Sequence, residues 1–318
     1  MAGESTGAIV TAAGANLAIA VAKFVGAWLT GSASMLAEGV HSVVDTADQG
    51  LLLLGLKRAE KPADEAHPFG YGREVYFYSF VVSLLIFTAG GLYSIYEGIG
   101  KIRHPEETGD VDLFGLHLPG IAVNLAILAF ALASEGYSLF TAYTSLPKGS
   151  GSPLSTIRRS KDPSLFVLIA EDTAAVAGLV LAALGVGLSA LLGLPVLDGA
   201  ASIGIGVLLV AVAFFLLIET HGLLIGEAAD PEVVEAVRAL ALAEPSVRHV
   251  NEVLTQHLGP SDILVNLSLD VADDERGGDV ERLATRLERE LKRRHGKVRR
   301  VFVEFQSGPA SRSADRDG

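Results

Sequence analysis

Apolar residues dominate the first 226 positions in stretches at about 7–29, 32–56, 74–100, 113–144, 163–192 and 198–226. Each stretch is about 20 residues or more, the length an α-helix needs to cross about 30 Å of hydrocarbon. The pattern predicts six transmembrane helices, an all-α polytopic membrane domain over 1–228; repeated spans of this kind are not one cleaved signal peptide. From Ala229 the pattern changes. A helical segment runs from Pro231 through Ala243, and strand-like runs follow at Val247–His257 and Ile263–Val271. A Glu-, Arg- and Leu-rich helix then extends from Gly277-Gly278 to His295, and Val298–Phe305 alternates apolar with polar residues. This order predicts a small α+β domain over 229–306. So short a unit buries little alone, which favours pairing with a second copy. The tail 307–318 is small, polar and charged, and disorder is expected there.

Basic residues fix the expected orientation. Lys57, Arg58, Lys61 and Arg73 lie between spans two and three, and Lys148, Arg158, Arg159 and Lys161 between four and five. The opposite side carries only Lys101 and Arg103, beside Glu106, Glu107, Asp110 and Asp112. Both basic loops should therefore be cytoplasmic, with both termini inside a multi-pass protein of the cell (inner) membrane. Composition agrees: 50% of residues are hydrophobic, and the mean hydropathy is +0.42. The formal net charge of −12 and the lack of a basic stripe argue against nucleic acid as a partner. Cysteine is absent, which excludes disulfides and thiolate metal sites.

Against this apolar background, His41 and Asp45 stand one helical turn apart in span two. Neither is cheap in hydrocarbon, so the pair points to an ion site or substrate path. Asp172 lies about halfway along span five, and Asp45 about halfway along span two, which runs the opposite way, so the carboxylates can meet at one depth. One nitrogen and two carboxylates suit zinc, manganese, iron(II) or cobalt once a further ligand or water is added. Glu171, Asp48, Asn16 and Glu135 are the candidates for that further ligand or for supporting positions. Empty, such a site should hold protons that a metal must displace, which makes exchange for protons the natural mechanism, with zinc or a related divalent ion (manganese, iron(II), cobalt or cadmium) exported from the cytoplasm. No organic cofactor is expected. Lys23 is expected to snorkel to the outer interface, and Glu38, Glu97 and Glu219 to be interfacial or supporting groups.

The string Ser34-Met35-Leu36-Ala37-Glu38, followed by His41-x-x-x-Asp45, and the loop His67-Pro68-Phe69-Gly70-Tyr71-Gly72-Arg73-Glu74 resemble the cation diffusion facilitator family. Within it, Glu171-Asp172-Thr173-Ala174-Ala175 most resembles the zinc transporter nine-like branch. The resemblance implies a homodimeric divalent-cation/proton antiporter, with a tetrahedral site between spans two and five and a ferredoxin-like cytoplasmic domain. Two positions depart from the family pattern. Leu168 stands where a second His-x-x-x-Asp motif would have its His, and Tyr71 stands where a second loop His is common, which weakens an accessory loop site at Asp64 and His67. Loss of an imidazole favours harder ions, so manganese or iron(II) gains on zinc. The rival readings are a membrane-embedded metalloenzyme, for which no His-Glu-x-x-His is present, and a metal sensor that has lost transport.

Overall fold

The structure, a computed structural model, describes residues 2–105, 109–113, 116–144, 161 and 163–308. Lys148, Arg158, Arg159, Glu106, Glu107 and the tail from 309 lie outside these residues. The chain divides into two compact units, one made of the chain up to residue 221 apart from 58–76 and 159–161, the other of 58–76 and 159–161 with the chain from 222 onward.

The first unit is helical. It holds α1 (Ala2–Thr30), α2 (Ala33–Ala59), α3 (Glu74–Leu85) continued through a π-helical turn at Ile86–Gly91 into α4 (Leu92–Arg103), α5 (Gly120–Thr144), α6 (Pro163–Leu192) and α7 (Val196–Ile225). Among the described residues, four helical stretches are long and apolar enough to cross a membrane: Glu74–Arg103, Gly120–Thr144, Phe166–Leu192 and Val196–Ile225. Asn16–Thr30 is a shorter apolar helix. The fourth helix begins at Gly120, later than the apolar run suggested. Residues ahead of it form a short antiparallel ribbon, β1 (Val111–Leu113) with β2 (Leu116–Leu118). Pro119 explains the boundary: proline disfavours helix at the preceding residue, while its own carbonyl accepts from Ala122 N and Val123 N to start the new one.

Trp28, Phe130, Phe140, Leu191 and Phe214 point outward, as side chains facing hydrocarbon do. Small residues let the helices meet closely. Gly91 faces Gly206 and Gly98 faces Gly199, so α4 and α7 touch backbone to backbone; a Cβ at Gly98 would lie 2.5 Å from the Gly199 carbonyl oxygen. The α1–α2 turn is held from two sides. Gly31 takes φ 68°, a left-handed conformation that glycine adopts without Cβ strain, and its carbonyl accepts from Lys101 Nζ at 2.8 Å. Asp198 of α7 caps the start of α2 from outside, accepting from Ser32 Oγ at 2.9 Å, Ala33 N at 2.7 Å and Ser34 N, and from the Ser34 hydroxyl.

The second unit contains a small α/β domain in the order α8 (Pro231–Leu242), β3 (Val247–Gly259), β4 (Asp262–Val271), α9 (Gly277–Arg294), β5 (Val298–Phe305). Asp230 caps α8 by accepting from Glu232 N at 3.0 Å, with Pro231 in the first turn where its missing N–H costs nothing. The strands lie in the order β3-β4-β5; β3 pairs antiparallel with β4, and β4 parallel with β5, the crossover being α9. Ile263, Val265, Leu267 and Leu269 alternate onto one buried face of β4. Against them α9 sets Leu283, Leu287 and Leu291, four residues apart on one stripe. Each such leucine contributes about 1.5–3 kcal/mol by leaving water.

Candidate functional site

Helical spacing of three and four puts Glu38, His41, Ser42, Asp45 and Asp48 on one face of α2, and all five are buried. His41 is 1% exposed, and its Nδ1 lies 3.3 Å from Asp45 Oδ1. That contact is too poorly aligned to count as a hydrogen bond: both ring nitrogens of His41 and Asp45 Oδ1 are buried without a hydrogen-bond partner. Desolvated polar atoms left unpaired are costly, so their presence marks a place kept for something else.

The facing helices add carboxylates. Glu171 and Asp172 are buried on α6, and Glu135 on α5. Ser138, one turn beyond Glu135, donates to Asp172 Oδ2 at 2.8 Å. Glu135 and Asp48 lie close enough to act electrostatically on Asp45, Asp172 and Glu38 on Glu135, and Asp48, Asp45 and Asp172 on Glu171. Both oxygens of Asp48 and Oε1 of Glu171 are also buried and unpartnered. The structure therefore pairs His41 with Asp45 and places Asp172, Glu171, Asp48 and Glu135 in one connected group of buried acids. Among the described residues, no three His, Asp or Glu side chains are gathered tightly enough to grip an ion. Asn16, half-buried on α1, lies two turns from Lys23 on the same helix face. Leu168 is half-buried one turn before Asp172.

Lys23 overturns its expected role. It does not reach an interface: it is 0% exposed, and its ammonium donates to Glu38 Oε2 at 3.0 Å and to Ser42 Oγ at 2.8 Å. Snorkelling would keep the ammonium in water, and the counter-charge of Glu38 on α2 holds it inside instead. Glu38 stands three residues before His41, on the motif's own face, and that spacing was the signal for its place beside the pair. Asp198, a lone acid near the start of an apolar run, gave no sequence sign of capping α2.

In the loop before α3, Asp64 and His67 do come together. His67 N donates to Asp64 Oδ1 at 2.7 Å, and Tyr71 donates its phenol to Asp64 Oδ2 at 2.7 Å. The Tyr71 hydrogen bond, joined by that from His67 N, holds the Asp64 carboxyl below the usual carboxylate range. Tyr71 thus satisfies the acid where a second imidazole would compete for an ion. His249, His257 and His295 of the α/β domain form no metal-holding group among the described residues.

Comparison with known proteins adds an independent line. The cation efflux transmembrane domain family matches residues 9–225, and the cation efflux protein cytoplasmic domain family matches 229–306. The chain is 36% identical over 238 residues to the Mus musculus protein named "Proton-coupled zinc antiporter SLC30A9, mitochondrial", covering 73% of this chain and 40% of that one. The Homo sapiens protein of the same name is 35% identical over 238 residues, with the same shares of the two chains. "Metal tolerance protein C4" of Arabidopsis thaliana is 30% identical over 271 residues, 84% of this chain and 57% of that one. The matched region is thus under half the length of the two animal relatives and little more than half of the plant one.

Proposed function

This chain belongs to the cation efflux family, the cation diffusion facilitators, and is a multi-pass membrane protein; from that premise we propose that it exchanges a divalent transition metal for protons. The observation that carries the reading is His41, buried in a helix of the membrane domain beside Asp45 with neither ring nitrogen satisfied. His41, Asp45 and Asp172 bind the ion, Glu171, Asp48, Asn16 and Glu135 standing as further or supporting ligands. Imidazole and carboxylate bind metal only when deprotonated, so loading the ion expels protons and unloading recovers them. Access from each side in turn converts that competition into antiport. Zinc is the first candidate, on the names of the animal relatives, with manganese and iron(II) following from the leucine at 168. The protein is a transporter and not an enzyme.

The same reading completes the architecture. α1 and α2 join the four long apolar stretches as spans, giving six, with 1–228 as the membrane domain. α2 falls short on composition because it carries Glu38, His41, Asp45 and Asp48, the groups that transport requires. Residues 229–306 form a cytoplasmic ferredoxin-like domain that pairs two copies, which the cytoplasmic domain match supports. Both termini lie in the cytoplasm of a cell exporting metal across its inner membrane. Purified protein in liposomes, carrying metal-sensitive and pH-sensitive dyes and challenged with zinc, manganese and iron(II), tests the proposal. Opposed metal and proton fluxes are expected, and Asp45→Ala should abolish both. Metal flux with no proton counterflow would overturn the exchange mechanism.

A further inference from the structure

A lysine is costly to keep out of water, and Lys23 is entirely buried in the membrane unit. Its ammonium bridges Glu38 and Ser42, the two α2 residues that flank His41 on its own face. Its charge also reaches His41, Asp45 and Glu135. Only one oxygen of Glu38 is used; Oε1 is buried and unpartnered. That oxygen lies directly against Gly178 of α6, where a Cβ would leave it no room. Glu38 is therefore held between α1 and α6, three residues from His41, with one oxygen free and the other occupied by a cation that the chain itself supplies. A cluster of such acids attracts a divalent ion, and a fixed ammonium within it repels one. The set His41, Asp45 and Asp172 leaves a tetrahedral ion one position short.

Resting on the transport site proposed above, we infer that Lys23 is an internal stand-in for the transported metal: its ammonium holds Glu38 while the site is empty, and an arriving ion displaces it, releasing Glu38 to complete the coordination. The lysine then sets how tightly the ion is held. Without it the acid cluster would bind a divalent cation too firmly to let it go on the far side. A pair that merely fastened α1 to α2 would need neither the free oxygen nor the glycine that clears space for it.

The test uses the full chain in lipid nanodiscs with zinc ion as the probe, measuring zinc affinity against a fluorescent chelator and thermal stability in parallel. Lys23→Met should bind zinc at least about tenfold more tightly, since a unit charge within the site is worth more than the 1.4 kcal/mol that tenfold represents. Lys23→Arg should return affinity towards the original. Glu38→Gln should weaken zinc binding at least about tenfold, through loss of a ligand and of the lysine's counter-charge. Lys23→Gln keeps a hydrogen bond to Glu38 and supplies the same comparison where Lys23→Met does not fold. Unmoved zinc affinity in the Lys23 and Glu38 variants, with only the melting temperature lowered, overturns the inference. Asp45→Ala separates the two readings. If it binds zinc normally, the site itself is misplaced; if it loses zinc while the Lys23 and Glu38 variants do not change affinity, only the stand-in role fails.

Discussion

Adding a single methyl group at Gly98 tests how the membrane unit is assembled. The Cβ of Gly98→Ala would lie 2.5 Å from the carbonyl oxygen of Gly199, 2.7 Å from Ile203 Cγ1 and 2.8 Å from Ile203 N. Two of these three neighbours are backbone atoms of α7, which no side-chain rotation can move aside. Ordinary contact begins near 3.4 Å, so α4 and α7 must part by roughly 1 Å along the seam that Gly91 and Gly206 share, losing dispersion contacts on both sides. Overpacking of this kind costs about 1–3 kcal/mol. Replacing glycine by alanine within a helix returns about 0.5–1 kcal/mol, leaving a net loss of about 0–2.5 kcal/mol. Gly100 supplies the control: it lies two residues along the same helix, and nothing stands within 4 Å of a Cβ placed there. Gly100→Ala should therefore be neutral or slightly stabilising. The assay is thermal unfolding of the detergent-solubilised protein, followed by loss of its monodisperse chromatographic peak. If Gly98→Ala is as stable as Gly100→Ala, the close backbone seam between α4 and α7 does not exist.

Asp198→Ala removes a carboxylate that accepts two backbone N–H groups and two hydroxyls at the start of α2. A loss of about 2 kcal/mol is expected, larger than an exposed cap because the freed donors are buried, and hydrogen exchange at Ala33 and Ser34 should rise while exchange in α5 stays the same. His257 is buried on β3, and burial lowers its pKa below the usual imidazole value, outweighing the hydrogen bond it shares with the Gly259 carbonyl. The unfolded chain therefore takes up a proton there before the folded one does. The stability held by neutral His257 is complete above about pH 6.5 and falls as the pH drops below it. Unfolding of the full chain at a series of pH values should show this slope shrinking in His257→Asn, and an unchanged slope would contradict it.

The second unit was the easiest part to read, because its signals are local. The alternation in Ile263, Val265, Leu267 and Leu269 and the four-residue spacing of Leu283, Leu287 and Leu291 each state a face directly, and those faces meet in the core. Helix ends in the membrane unit were less legible. An apolar run does not distinguish a span from a ribbon beside it, so Leu113 of β1 and the strand β2 (Leu116–Leu118) merged with the helix that Pro119 and Gly120 begin. The pairing of His41 with Asp45 is a one-turn relation on one helix and was readable for that reason. What Lys23 does depends on α1 meeting α2, and the capping of α2 by Asp198 joins residues over 160 positions apart; neither contact leaves a local trace. Asp172 illustrates the same limit. Depth along two antiparallel spans predicts a level for it, but only the structure shows its carboxylate held by Ser138.

The most direct measurement of the central claim is the position of a bound zinc ion, from anomalous scattering or cryo-electron microscopy of the protein loaded with zinc in lipid. The account places it about 2.0–2.2 Å from a ring nitrogen of His41 and from carboxylate oxygens of Asp45 and Asp172. Zinc found only at Asp64 and His67, or elsewhere with the His41 ring still unpartnered, would contradict it.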